Sequence, residues 1–547
     1  MRSRVVALVA AGSVALGVVA VSGAAAGAGT PGSPGTPGSL ARVAGAAAPK
    51  PGGSVTYGLE AETGGGWCPT TARLAISGIE VGAAIYDTLV VPNSKGEIVP
   101  YLAKSVEHDP TYQTWTITLR DGVKFHDGTP VDAAAVKLNI DAYKSSTLVG
   151  AALKDIDTVD VTAPNVVTVK TKVPWVAFAW FLYLDGRFLI VAPAQLANPD
   201  TCNSNLIGSG PFKLDHWTVN QELVANKNPD YWQKDAKGQK LPYLDSITFK
   251  PVAEAVQRVN GLQGGSLDII HTSDGQQVDA LLQKKSSFNE MHEQPGRREV
   301  RYYLMNEAKP PLDDFNARKA VALAIDRQQI NQIRNDGVFT VADGPFDSSV
   351  TGYVKNPGYP KTNVPEAKKL ADAYKAAHGG SFSVVLEHTN DPANVAEAQL
   401  IKEQLSKAGI DSTLKQDDQT AFIAAAVGGN FSIMLWRNHP GGDPDVNYQW
   451  WQTGSLLNFG KFADPELQTL LDQGRSELDP AKRKAIYQQV DKRFASQLYN
   501  VWAYYDAWMV AGKKTVNGFM GPALPDGGGQ PLFFYGRHPL LGIYVTK

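Results

Sequence analysis

Trp115-Thr116-Ile117-Thr118-Leu119 alternates large apolar side chains with threonines, the period of a strand with one face against a core and the other toward water. Asp121-Gly122 and Asp127-Gly128 follow and bracket the apolar residues Val123 and Phe125. Each Asp-Gly step is turn chemistry, because glycine takes the backbone angles that reverse a chain at little steric cost. The stretch from Glu97 to Pro130 is thereby committed to a β-hairpin.

The pattern changes further along. Residues 381–386 read as a strand, 395–408 as an amphipathic helix and 411–415 as a strand again, with Ala398, Ile401, Leu405 and Ala408 at helical spacing and Gly409 as the stop. That is a βαβ unit. A second helix begins at Asp479 as cap with Pro480 in its first turn, and it places Ile486, Val490, Phe494 and Leu498 on one face. Short strands are expected at 54–59, 166–169 and 246–249, so the class is α/β. A chain of 547 residues with 43% apolar content exceeds what one core serves, and at least two folding units are expected. The formal net charge of -2 and the lack of a Lys/Arg cluster give no field for polyanions, which argues against a nucleic-acid partner.

Arg2 and Arg4 precede an apolar run from Val5 to Val21 and the small residues Ala24 to Ala28, the layout of a secretory signal over residues 1–28. Uncleaved, the run is just long enough to anchor the chain in a bilayer. Residues 29–53, almost wholly Gly, Pro, Ser, Thr and Ala, read as a disordered linker. In an exported chain the two cysteines, Cys68 and Cys202, favour a disulfide. Two separate thiols are the alternative, and zinc ligation is weaker because neither has a second ligand at the usual spacing.

From Glu97-Ile98-Val99-Pro100 through Gly128-Thr129-Pro130 the chain resembles the extracellular solute-binding proteins of family 5, the peptide, oligopeptide and nickel binders that deliver ligands to ABC importers. Gly208-Ser209-Gly210-Pro211-Phe212, Asn228-Pro229-Asp230-Tyr231-Trp232, Leu262 to Asp268, Arg318-Lys319-Ala320-Val321 and Gly441-Gly442-Asp443-Pro444-Asp445 are similar to further blocks of that family, in the same order. The resemblance implies a two-lobed periplasmic-binding-protein-like clamshell with an additional inserted domain. Its expected parts are a discontinuous lobe I (54–85, 206–300 and 516–547), an inserted domain II (86–205) and lobe II (301–515). The crossings are expected near 300 and 515, closure around a ligand being a hinge motion. No Cys follows the apolar run, unlike the lipoprotein arrangement of many such binders. The expected location is exported, either extracellular, cell-envelope associated or in the periplasmic space, and the expected partners are a peptide or small-molecule ligand and a membrane ABC permease complex, with the protein itself a monomer.

Residues 431–436 read as an apolar strand that runs into Arg437-Asn438-His439-Pro440, with Trp450-Trp451 downstream. Polar groups at a strand end beside aromatic walls are what small-molecule pockets use in open α/β sheets. Expected ligand contacts are Trp67, Trp436, Arg437, Asn438, His439, Asp443, Asp445, Trp450 and Tyr504. Each has a structural alternative: Asp443 and Asp445 as turn and helix caps, one of the two tryptophans as core, and Arg437 as partner of either a ligand carboxylate or Asp443. The resembling dipeptide binders carry an acid just before the Gly-Asp-Pro-Asp block that pairs with the peptide's amino terminus, and here Asn438-His439-Pro440 holds none. Either Asp443 or Glu62 substitutes, or the ligand is not a simple free-amine peptide. No serine-hydrolase elbow, zincin or phosphate-loop spacing occurs, and the nine histidines are scattered, so no catalytic residue, metal site or cofactor is assigned. The alternatives are a secreted hydrolase or transferase on the same scaffold, or a nickel or haem carrier.

Overall fold

The computed structural model describes residues 49–546 except 64, 147–148, 293–297, 439–440 and 534; the expected signal segment and nearly all of the linker lie outside the described residues. Within the compact unit 47–547, three sheets carry the described fold. A seven-stranded sheet runs in the order Phe288–His292, Met509–Lys513, Ile269–Thr272, Ser54–Leu59, Ser246–Pro251, Glu222–Lys227, Phe212–Thr218. A six-stranded sheet runs Thr340–Val341, Asn500–Asp506, Glu299–Met305, Ile433–Asn438, Ser383–Thr389, Asp411–Asp417. A four-stranded antiparallel sheet, Ala103–His108, Thr114–Leu119, Val166–Thr171 and Ile156–Ala163, belongs to the inserted domain.

The elements form where side-chain periodicity can be buried. In Thr114–Leu119 the apolar residues Trp115, Ile117 and Leu119 are buried while the threonines are half-exposed. Gly122 and Gly128 adopt positive φ, and Lys124 bridges Pro130 between them. Strands Ser383–Thr389 and Asp411–Asp417 are parallel and joined by the helix Pro392–Lys407, whose Ala398, Ile401 and Leu405 are buried; Asp391 caps it by accepting from the Asn394 amide. Asp479 caps the helix Pro480–Gln497 in the same way, and Val490 and Phe494 bury against the second lobe's core. Cys68 and Cys202 are disulfide-bonded, tying the loop after the first strand to the end of the inserted domain.

The chain passes from the first sheet to the second between His292 and Glu299. It returns sooner than the expected boundary near 515. Asn500–Asp506 belongs to the six-stranded sheet, whereas Met509–Lys513 pairs antiparallel with Ile269–Thr272 and Phe288–His292 of the seven-stranded one. The return crossing is therefore Ala507-Trp508, and residues 509–515 leave the second lobe. The two strands, separated by two residues, part into different sheets.

Candidate functional site

Strand Ile433–Asn438 ends where the two lobes meet, and its register decides what each residue does. Ile433, Met434 and Leu435 are buried. Trp436 lies opposite Tyr302 and stacks on Phe422 (ring centroids 5.4 Å) with Phe459 at its edge (5.3 Å), all within the second lobe. Arg437, one residue on, projects from the other face, as the period-two geometry of a strand requires. It crosses to the first lobe. One guanidinium nitrogen donates to the Glu60 carboxylate, another donates to Ser273 Oγ at 3.1 Å, and Nε lies 3.6 Å from the carboxylate of Glu299, the first residue of the crossing strand. The guanidinium also sits over the Trp508 ring, 5.2 Å from its centroid.

The crossing itself is charged. Glu299 and Asp506 are register partners on the two strands that enter and leave the second lobe, and both are buried. Glu299 accepts from Trp508 Nε1 at 2.9 Å. Burial pushes the carboxyls of Glu299 and Asp506 up, Glu60 adding to the first and Glu299 to the second; Arg437 and Arg301 oppose this at both. Burial also works against the charge on Arg437, but the fields of Glu299, Glu60 and Asp506 outweigh it and hold the guanidinium firmly protonated. Arg301, beside Arg437 in the register, is engaged elsewhere: it faces Glu397 at 3.3 Å and donates to Asn394.

The Gly441 to Asp445 loop has a different role. Asp443 caps the turn Pro444–Asn447 by accepting from the Asp445 amide at 2.9 Å, and it takes both arms of Arg483 at 2.6 and 2.7 Å. Asp445 is wholly buried; it accepts from Arg475 Nε at 3.1 Å and from Trp175 Nε1 of the inserted domain at 2.8 Å. Burial raises its carboxyl, with Arg475 and Arg483 opposing. Gly442 presses against Trp180 of the inserted domain so closely that a Cβ there would lie 1.7 Å from the ring. Gly441, at positive φ, donates its amide to the Tyr535 hydroxyl at 3.0 Å.

Of the residues expected at the ligand, the structure brings Arg437 and Asn438 to the junction, Asn438 lying half-buried 3.5 Å from Asn447 Oδ1. His439 lies outside the described residues. Trp67 is buried in the first lobe's core, edge-on to Trp217. Tyr504 is buried and donates to Glu397 at 2.8 Å. Trp450 is half-buried against Phe459, while Trp451 is the core member of that pair, packed on Phe346 and Phe494. Arg437 does not pair with Asp443, and neither Asp443 nor Glu62 is a spare carboxylate: Glu62 accepts from Trp217 Nε1 at 3.3 Å and the Asn220 amide at 2.8 Å. Sequence reasoning missed Glu60, Ser273, Glu299 and Trp508. Their only local signal was the position of Glu60 at the mouth of a polar loop after the first strand.

Among the described residues no group of three or more His, Cys, Asp or Glu is placed to hold a metal ion, and no helix is long and apolar enough to cross a membrane. A cavity of about 730 Å³, including space open to solvent, lies away from Arg437. It is lined by Tyr86, Asp87, Tyr101, Gln233, Arg537 and the proline-rich C-terminal segment.

The chain matches the model of the bacterial extracellular solute-binding proteins, family 5, over residues 97–458. It is 25% identical over 455 residues to a nickel-binding periplasmic protein of Escherichia coli strain K12, covering 78% of this chain and 85% of that one. To the glutathione-binding protein GsiB of Escherichia coli O6:K15:H31 it is 26% identical over 422 residues, 74% of this chain and 80% of the relative. The solved structure of AgaA in complex with agropinic acid, from A. tumefaciens R10, superposes with a TM-score of 0.80 at 26% identity, covering 90% of this chain and 99% of that one. The chain belongs to the family 5 extracellular solute-binding proteins, and its fold is the two-lobed clamshell with an inserted domain.

Proposed function

We propose that this family 5 solute-binding protein captures a peptide or a similar polar organic solute between its lobes, closes on it by a hinge motion and delivers it to a membrane ABC permease. The observation that carries this reading is Arg437, a second-lobe side chain whose fork is shared by Glu60 and Ser273 of the first lobe. A group contacted from both lobes stabilises the closed form alone, and that differential is what converts binding into closure. Arg437 and Asn438, with His439 next in the chain, are the residues proposed to meet the solute. Relatives named for glutathione and for agropinic acid support a polar organic ligand. The chain acts by binding, with no bond-breaking step, after export directed by residues 1–28.

Differential scanning fluorimetry and calorimetry with di- to hexapeptides, organic acids, sugars and metal chelates test the reading. At least one class raises the melting temperature, and small-angle scattering with that ligand reports a more compact particle. No hit from any class, or turnover of a peptide or ester substrate, overturns it.

A further inference from the structure

The cavity away from Arg437 lies where the first lobe meets the inserted domain. It opens between the end of helix Ile76–Ile85, the strand Val90–Pro92 and the C-terminal segment 522–541, and its volume of about 730 Å³, space open to solvent included, is in the range of small-molecule sites. Pro92, Pro211, Pro522, Pro531 and Pro539 stand in its walls, so much of the surrounding backbone has its φ fixed before any guest arrives. One cation faces it. Arg537 is half-buried, donates from one nitrogen to the Tyr183 hydroxyl and lies over that ring, 5.2 Å from its centroid. Gly186 makes room for this pose: it sits at φ 86°, and a Cβ there would fall 2.0 Å from Arg537 Nη1. Arg537 forms no ion pair with a described carboxylate, and its other nitrogens have no hydrogen-bond partner among the described residues. Three acids stand near, and each is committed or neutral. Asp87 lines the cavity, but its oxygens accept from Ser209 Oγ, the Tyr231 hydroxyl and Trp232 Nε1 at 3.1 Å each. Asp185 has Arg187 as its nearer cation, at 3.9 Å. Glu80 is wholly buried, and burial pushes its carboxyl up to about 8, which leaves it protonated at neutral pH. What the cavity leaves without a partner is a guanidinium.

We infer that this cavity is a second binding site, and that it takes a small organic monoanion with an apolar body, its acid group on the Arg537 fork and its body against Val91, Leu524, Leu532 and Leu541. The guanidinium is planar and presents paired donors that match a carboxylate, and the Tyr183 ring fixes that plane. Proline, leucine, valine and tyrosine dominate the rest of the wall. Such a wall favours an apolar body released from water and penalises a second polar group that finds no partner. Asp87 sharpens the selection, because a second anionic group on the guest would approach a carboxyl whose oxygens are already occupied. The inference goes beyond capture between the lobes and does not depend on it: no residue of the strand Ile433–Asn438, or of the loop that follows, lines this cavity.

Calorimetry of the full chain at neutral pH with phenylacetate, hexanoate and octanoate, each beside its amide, and with succinate and inorganic phosphate, tests the inference. The monoacids bind, and amidation weakens them about tenfold or more, the scale expected for losing a forked ionic pair. Succinate and phosphate give no heat. Arg537→Gln removes the preference for acid over amide. Ala83→Leu, which fills the cavity from the helix Ile76–Ile85 and leaves every charge in place, abolishes binding, while Arg437→Lys binds the monoacids as the parent does. Urea denaturation checks that the variants are folded; should Arg537→Gln not fold, Ala83→Leu still locates the site and the amides still read the charge. Absence of binding by every monoacid, amides, succinate or phosphate that bind as well as the monoacids, a folded Arg537→Gln protein that keeps the acid preference, binding that survives Ala83→Leu, or binding lost in Arg437→Lys each overturn the inference and leave the capture reading untouched.

Discussion

One loop, from Arg437 to Asp445, feeds two charge clusters with opposite character. At its far end Asp443 and Asp445 are fully committed. Asp445 is wholly buried, Arg475 lies against it, and that guanidinium is in turn covered by the rings of Tyr448 (3.7 Å) and Trp175 (4.5 Å) and bonded to Asp155 of the inserted domain. At its near end Arg437 is partly exposed, and its hydrogen-bonded carboxylate comes from the opposite lobe, with Glu299 of its own lobe farther off at 3.6 Å. The first cluster fastens the second lobe to the inserted domain. The second is a contact that lobe opening would undo. The Gly-Gly-Asp-Pro-Asp block is thus a structural joint in this chain, and the arginine before it is the residue proposed to meet the solute.

The largest expected effect tests the joint. Asp445→Ala leaves Arg475 buried without its inner counter-charge and Trp175 Nε1 without an acceptor, and breaking a buried ion pair by removing one partner costs about 3–5 kcal/mol. Urea denaturation monitored by tryptophan fluorescence measures it, with the denaturant slope checked for two-state behaviour. A loss below about 1 kcal/mol would mean that the Asp445 cluster is no more structural than a surface pair, and the contrast with Arg437 would collapse.

A second test asks what burial costs where compensation is missing. Glu80, in the helix Ile76–Ile85, is wholly buried, and neither of its oxygens has a hydrogen-bond partner among the described residues. Burial pushes its carboxyl up to about 8, with Arg537 and His538 opposing. His538, 3.5 Å away, is itself pushed down to about 4 by burial and carries no charge at neutral pH. An acid whose folded pKa exceeds its unfolded value binds more protons when folded. Its contribution is therefore favourable at low pH and is lost as pH rises from about 4.5 toward 8. Glu80→Gln removes that loss, so the variant should gain about 1–3 kcal/mol over the parent at pH 7.5 and nothing below pH 4. Denaturation curves across that range check the sign, and a variant that is less stable at pH 7.5 than at pH 4 relative to the parent contradicts it.

What the sequence made legible was local. The strand Thr114–Leu119, the βαβ unit around Pro392–Lys407 and the capped helix Pro480–Gln497 each follow from periodicity and a terminus signal within a few turns of chain. The disulfide followed from the count of two cysteines together with the expectation of export. The site was legible only in part. That Arg437 and Asn438 lie at the junction of the lobes was legible because polar residues ended an apolar strand, but Trp436 and Arg437 are adjacent and cannot face the same wall, which the strand period alone could have told. Trp67 and Tyr504 went to the interior because pattern does not say which face of a loop or strand a neighbour will cover. Glu60 stands 377 residues from Arg437, Ser273 164 residues, and a pairing over such separations leaves no mark in either local sequence.

The smallest expected effect sharpens the comparison from the other side. Arg437→Gln removes a charge shared between Glu60 of the other lobe and the buried Glu299 of its own, on a side chain that is 26% exposed. The contact to Glu60 is of the partly exposed kind worth about 0–1 kcal/mol, and Glu299 can take up a proton when its cation is lost, so the fall in the urea midpoint of the ligand-free protein should stay well below that of Asp445→Ala. Its conformational balance should shift more than its stability, because the lost contact belongs to the closed arrangement alone: with Glu60 and Ser273 released, the ligand-free ensemble opens. Small-angle scattering of parent and variant without ligand reads this as a larger radius of gyration in the variant, and Glu60→Gln should move the same way. If Arg437→Gln instead destabilised the fold as severely as Asp445→Ala while leaving the scattering profile unchanged, Arg437 would belong with the joint, and the near end of the loop would lose its claim to be the part that lets go.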